Sequence, residues 1–226
     1  MQLCVKNADI MKQDDLQNQV DGVAGAGIHS AKWGEHVVIA DADYVDKVAF
    51  NLIVNFERML GRRIPQADMA RWLECVALDG GVLKGTDGQE ISVVLIHDKG
   101  KSRLENFVPA DYEDGLNGQA FRSSLGEFVL HAVAVEDITT KTSMLIDVME
   151  HVAQQQEVKR LVVIPNAEDA ETYERVRRSL HHADDEKVIT VLAMQPLPGG
   201  NFRQEILGYS LMSALGIRGE ELDGRS

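Results

Sequence analysis

The sequence predicts an α/β fold of three layers, α/β/α, around a central, mainly parallel five-stranded sheet. Three observations carry this. Five short apolar runs, at residues 37–40, 91–96, 128–135, 160–164 and 188–193, are continuous rather than alternating, the pattern of strands covered on both faces. Amphipathic stretches of helical period separate them, and strands alternating with helices build parallel sheets. Most of the apolar runs also end in acidic or polar residues: Asp41-Ala42-Asp43, His97-Asp98, Glu136-Asp137 and Pro165-Asn166.

The first run organises the rest. After residues 37–40 come Asp41 and Asp43. Apolar residues then fall at Val45, Val48, Ala49, Leu52, Ile53, Phe56, Met59 and Leu60, one helical stripe, with Asp46, Lys47, Asn51, Asn55, Glu57 and Arg58 opposite. Asp43 is placed to cap this helix. Pro65 suits the first turn of a second helix striped by Met69, Trp72, Leu73 and Val76 and stopped by Gly80-Gly81. Two helices therefore stand between the first and second strands. A short helix is expected from Asp111. The helix after the third strand is capped by Thr139 or Thr140 and striped by Leu145, Val148, Met149 and Val152. The next, at 168–181, turns Tyr173, Val176 and Leu180 inward. Glu168, Asp169 and Glu171 in its first turn and Arg177, Arg178 and His181 near its end complement its dipole.

A last helix is expected from Phe202. Its apolar residues go all round, so it either closes the sheet or packs on a second subunit. Leu207, Tyr209, Leu211 and Met212 are the candidate interface, and a homo-oligomer is the expected partner state. Residues 1–33 read as a flexible leader, 34–219 as one α/β domain and 220–226 as a charged tail. The glycine-rich stretch at 22–27 has neither the strand before it nor the helix after it that a phosphate loop needs, and Trp33 is expected to pack the leader's end onto the domain.

Composition excludes some functions. A formal net charge of -13 argues against broad electrostatic binding to nucleic acid or anionic membrane. A metal-dependent nuclease escapes that argument, because its cation supplies the local positive charge. Cys4 and Cys75, the two cysteines, make no disulfide framework and no cysteine-rich zinc motif. Together with the N-terminus this favours the cytoplasm. No apolar run is long enough to span a bilayer. His131, inside an apolar strand, reads as a satisfied core residue, and Cys75 as packing. His97-Asp98 is the pair expected beside the end of the first strand.

A strand running into Asp-x-Asp and followed by Tyr44-Val45 resembles the start of the NYN branch of PIN-like ribonuclease domains, which opens with an apolar strand and Asp-Gly-x-Asn-Val/Ile. The doubled helices after the first strand are also PIN-like. The resemblance implies strand order 3-2-1-4-5 with an acidic site beside the first strand, and its central aspartate carries over to Asp41. The family's second acidic element is Lys-x-x-Asp on the helix after the third strand. Here that stretch is Thr140-Lys141-Thr142-Ser143, and Asp147 stands a turn further on. The third element, Ser-Gly-Asp-x-Asp after the fourth strand, is replaced by Pro165-Asn166-Ala167-Glu168-Asp169. The chain as a whole, through the phrase from Asn55 to Pro65, also resembles a family of cytoplasmic bacterial proteins without assigned activity.

Two functions follow from the resemblance. One is a degenerate, non-catalytic binding or assembly module. The other is a Mg- or Mn-dependent phosphodiester hydrolase acting on RNA. In that case Asp41 is catalytic, the candidate metal ligands are Asp41, Asp43, Asp98, Asp147 and Asp169, and RNA binds only with the metal. A nucleotide site of Rossmann type fits worst, since carboxylates at 41 and 43 repel pyrophosphate.

Overall fold

The strand at residues 37–40 extends to β1 (His36–Asp41), and all six of its residues are buried. The computed structural model describes residues 31–84, 88–183 and 186–223. The expected glycine-rich leader therefore lies outside the described residues except for its end, where Trp33 is buried in the core.

β1 is followed without a turn by α1 (Ala42–Leu60), β2 (Ala67–Asp68) and α2 (Met69–Asp79), and then by β3 (Glu90–Asp98) and β4 (Phe107–Val108). A single wide turn of π type at Tyr112–Leu116 leads to β5 (Ala120–Ser123), β6 (Gly126–Val135) and α3 (Lys141–Gln154). The chain continues through β7 (Arg160–Ile164), α4 (Ala170–Ser179), β8 (Val188–Ala193), β9 (Arg203–Ile206), α5 (Leu207–Ala214) and α6 (Gly219–Asp223).

Among the described residues the main sheet has seven strands, not five, in the order β5-β6-β3-β1-β7-β8-β9. This corrects the expected count and order. The strands read from the sequence lie side by side in its middle, and the additions are its two edges. β5 pairs antiparallel with β6, whereas β9 is parallel to β8. Both are four residues long and alternate between exposed and half-buried positions, so neither makes a continuous apolar run. β9 occupies the start of the expected last helix. Its pairing of Arg203 with Thr190 through Ile206 with Ala193 holds it extended, and the helix begins at Leu207.

Successive side chains of a strand point to opposite faces. Val38 and Ala40 therefore enter one core with α1, α2 and α5, and Val37 and Ile39 enter the other with α3 and α4. Leu207 and Leu211 of α5 are wholly buried in the first core and Met212 packs against it. That helix closes the sheet, which leaves Tyr209 as the exposed member of the four expected at an interface.

Two helix starts differ from expectation. α1 is capped by Asp41, whose carboxylate accepts from the Tyr44 N–H at 3.0 Å. Asp43 lies in the first turn, because the strand runs directly into the helix. α2 begins at Met69, with Asp68 accepting from the Arg71 N–H. Pro65 stands before it, outside any helix, in the segment that leads into β2, where Ala67 pairs with Phe107. Asp46, expected on the solvent face, is buried and accepts from the backbone N–H groups of Glu105 and Asn106, at 3.1 and 2.8 Å. It ties the segment after β3 to α1.

The end of α2 carries a like-charge strain. Burial, and then the neighbouring Glu205 of β9, push the Asp79 carboxyl up to about 6. The folded state thus holds this proton more tightly than the unfolded chain, and stability falls as pH rises from about 4 to about 6. Solvent screening at this partly exposed site reduces the effect to about 1 kcal/mol. Asp79→Asn is expected to raise the melting temperature at pH 7 by roughly 2–4 °C and to leave it unchanged at pH 4. Thermal unfolding at both pH values checks this; equal melting temperatures at pH 7 would refute it.

A lysine-centred carboxylate cluster as the candidate functional site

Parallel pairing sets Asp41 opposite Ile96, so Asp98 emerges two residues beyond it on the adjacent strand. Asp43, in the first turn of α1, turns back over β3 and accepts the Asp98 N–H at 2.8 Å. Three carboxylates are thereby gathered at the carboxyl ends of two neighbouring strands, where open α/β sheets place their ligand sites.

The centre of this group is an ammonium. Lys141, the first residue of α3, places Nζ at 2.7 Å from Asp43 Oδ2, 3.1 Å from Asp41 Oδ1 and 3.3 Å from Asp98 Oδ2. Lys101 adds a contact of 3.0 Å to Asp43 Oδ1. A lysine at a helix N-terminus opposes the helix dipole, and the three carboxylates offset that cost.

The protonation states follow from burial and partners. Burial pushes the Asp41 carboxyl above its usual range, although Lys141 and the Tyr44 N–H draw it back. Burial also acts on Asp43, but Lys141, the Asp98 N–H and Lys101 outweigh it and hold that carboxyl low. Lys141 itself is driven up, because Asp41 and Asp43 outweigh its desolvation. Beside the cluster the His97 imidazole stacks on Tyr112 with ring centroids 3.7 Å apart and planes 7° apart. Its Nδ1 is 3.1 Å from the Asp98 carbonyl oxygen. A carbonyl only accepts, so Nδ1 carries the proton. Burial holds this histidine below its ordinary value.

The other candidate ligands stand elsewhere. Asp169 caps α4 through the Thr172 N–H, at 3.1 Å, and the Thr172 hydroxyl. Asp147 is exposed on α3. Glu168 pairs with Lys47 at 3.2 Å, and Asp137 with Lys99 at 2.8 Å. Among the described residues no three His, Cys, Asp or Glu side chains are disposed to hold a metal ion. His131, expected to be satisfied, is half-buried and its Nδ1 has no hydrogen-bond partner. Cys75 is half-buried on α2. Among the described residues no helix is long and apolar enough to cross a membrane.

Residues 30–222 match a family of unknown function, DUF6621. The chain belongs to this family. No curated protein and no solved structure gives a significant match. In this DUF6621 member the residues that sequence reasoning passed over are Lys141 and Lys101. The available signal was the position of Lys141, a cation directly after the cap residue Thr140, where the dipole disfavours it.

Removing that cation leaves three carboxylates facing one another at a largely buried point. Lys141→Met is therefore expected to destabilise the fold by about 3 kcal/mol at pH 7, a fall in melting temperature of roughly 6–12 °C. In the wild type the Asp43 contribution is fully present above its unfolded value near 4 and is lost as pH falls through its lower folded value. The Lys141 contribution is present below about 10.4 and is lost only as pH rises through its higher folded value. The variant's deficit should shrink as pH falls from 7 toward 4, since protonation relieves the repulsion. Melting curves across that range test this, and a deficit that is constant with pH would contradict it.

Proposed function

We propose that this protein is a binding or assembly module of the cytoplasm, built on a PIN/NYN-like core whose catalytic apparatus has degenerated. The observation that carries this reading is the Lys141 ammonium between Asp41, Asp43 and Asp98. Clustered acids serve phosphodiester hydrolysis by holding a divalent cation that positions phosphate and activates water. Here a side chain of the protein neutralises them. The family's two further acidic elements support the same reading. The stretch of α3 that should carry an aspartate has Thr140, Thr142 and Ser143 around Lys141, and Asp169 is committed to capping α4.

The residues present do not fit a Mg or Mn ion. Asp41 and Asp43 are engaged by backbone N–H groups and by lysine, and Asp147 and Asp169 are not part of the group. A second reading, the metal-dependent ribonuclease, is favoured by one observation: three carboxylates do converge on a single point from adjacent strand ends. For the assembly role, Tyr209 is the residue of α5 left to meet a partner, being 71% exposed.

The two readings separate in one experiment. The purified protein, residues 1–226, is incubated with single-stranded RNA and Mg²⁺ or Mn²⁺, beside Asp41→Asn. The expected result is no metal-stimulated cleavage in either. Cleavage that needs the metal and is lost in Asp41→Asn would establish the ribonuclease instead. Light scattering is expected to show a dimer or larger assembly that Tyr209→Asp weakens. A monomer at all concentrations would remove the self-assembly part of the proposal.

A further inference from the structure

The outer face of α1 is open to solvent. Lys47, Asn51 and Arg58 are exposed along it and Val54 is half-buried. Phe50, one turn before Val54, leaves 53% of its surface in water, and side chains at that spacing adjoin on a helix. None of the exposed residues of α1 is acidic. The acids of this helix are Asp43, Asp46 and Glu57. The first two are buried, and Glu57 is half-buried and accepts from the Ile64 N–H at 3.0 Å. In a chain of net charge -13, two copies repel wherever their carboxylates meet. A face without carboxylates is where they can approach.

The face is also self-complementary. Lys47, Asn51, Val54 and Arg58 follow one another at intervals of four, three and four residues, one line along a helix. The intervals read the same from either end. Two copies of α1 laid antiparallel about a two-fold axis therefore set Lys47 of one opposite Arg58 of the other, and Asn51 opposite Val54. Lys47 holds Glu168 at 3.2 Å, and that carboxylate side chain is 47% exposed. Arg58 has no ion-pair partner among the described residues. Arg58 of each copy thus meets Glu168 of the other, and the two-fold makes the contact twice. Parallel copies would instead set Arg58 against Arg58. α1 is about 28 Å long. α5 packs against it and carries the exposed Tyr209, which widens the footprint toward the roughly 800 Å² per partner that a standard interface buries.

We propose that the protein self-associates through α1, two copies pairing antiparallel about a two-fold axis between Asn51 and Val54. Phe50 and Val54 of each copy pack on the other helix, and Arg58 of each closes on Glu168 of the other. The proposal rests on the assembly reading above and names its surface.

Light scattering of the protein, residues 1–226, over a range of concentrations tests this. Wild type is compared with Phe50→Glu, Arg58→Glu, and Arg58→Glu combined with Glu168→Arg. All three positions are exposed, so the fold is kept, which circular dichroism checks. Wild type is expected to dimerise. Phe50→Glu places a carboxylate on each side of the axis and is expected to raise the dissociation constant at least about tenfold. Arg58→Glu sets like charges together twice and is expected to raise it by at least about as much. Adding Glu168→Arg restores opposite signs and is expected to recover most of the affinity. A monomeric wild type would overturn the proposal together with the self-assembly reading. A dimer that resists Phe50→Glu and Arg58→Glu but yields to Tyr209→Asp would overturn this proposal alone. A dimer weakened by Arg58→Glu and not rescued by Glu168→Arg would overturn the antiparallel pairing.

Discussion

A strand covered on both faces has no room for charge until it ends. β1 and the adjacent length of β3 meet helices above and below, and their central residues are wholly apolar apart from Ser92, which accepts from the Gly34 N–H. Ionisable groups are thereby driven to the strand ends, where parallel pairing lines up the ends of neighbouring strands. Asp41 and Asp98 come together because β1 and β3 are parallel and in register, whatever those acids later do. Partly buried carboxylates held this close need a counter-charge, and α3, packed over β1 and β3, supplies Lys141 at its first residue. The cluster is thus a consequence of topology first and of chemistry second.

The same constraint explains how far the sequence could be read. Strands buried on both faces leave continuous apolar runs, and β1, β3, β6, β7 and β8 were legible for that reason. β5 and β9 were not. Each has one line of half-buried residues and one of exposed residues over four positions, too short to separate from loop or helix. Arg203 to Ile206 read as helix because the apolar residues after Leu207 continue at helical spacing. Only pairing with Thr190 to Ala193, a contact far from evident in the local pattern, makes the segment a strand. The all-round apolar character of α5 was legible too, but its cause was not. Leu207 and Leu211 are taken up by the core of their own chain.

At the site, the acids were legible one by one and their grouping was not. Asp41, Asp43 and Asp98 follow from strand ends, which pattern locates to within a residue or two. Asp169 has the same sequence signature, yet its carboxylate turns inward on its own helix to meet Thr172. A cap and a cluster member look alike in one dimension, because both are an acid between a strand and a helix. Pattern alone points to Asp43 for the cap that Asp41 makes, since nothing local announces that β1 passes into α1 without an intervening turn. The lysine was harder still, as a single cation among many in the chain.

The donor count of the ammonium also bears on what the cluster is for. A lysine ammonium has three N–H donors, and three carboxylate oxygens stand within 3.3 Å of it. The Tyr44 N–H and the Asp98 N–H occupy further lone pairs of Asp41 and Asp43, and Lys101 reaches the remaining oxygen of Asp43. A magnesium ion in the same place would ask for near-octahedral oxygen ligands and would keep several waters. To admit it, the protein would have to withdraw Lys141 from three partners at once and leave a cation without counter-charge at the positive end of α3. Each hydrogen bond in the cluster therefore raises the cost of converting it to a metal centre. The energetic preference for lysine is distributed over β1, α1, β3 and α3 rather than residing in any one contact.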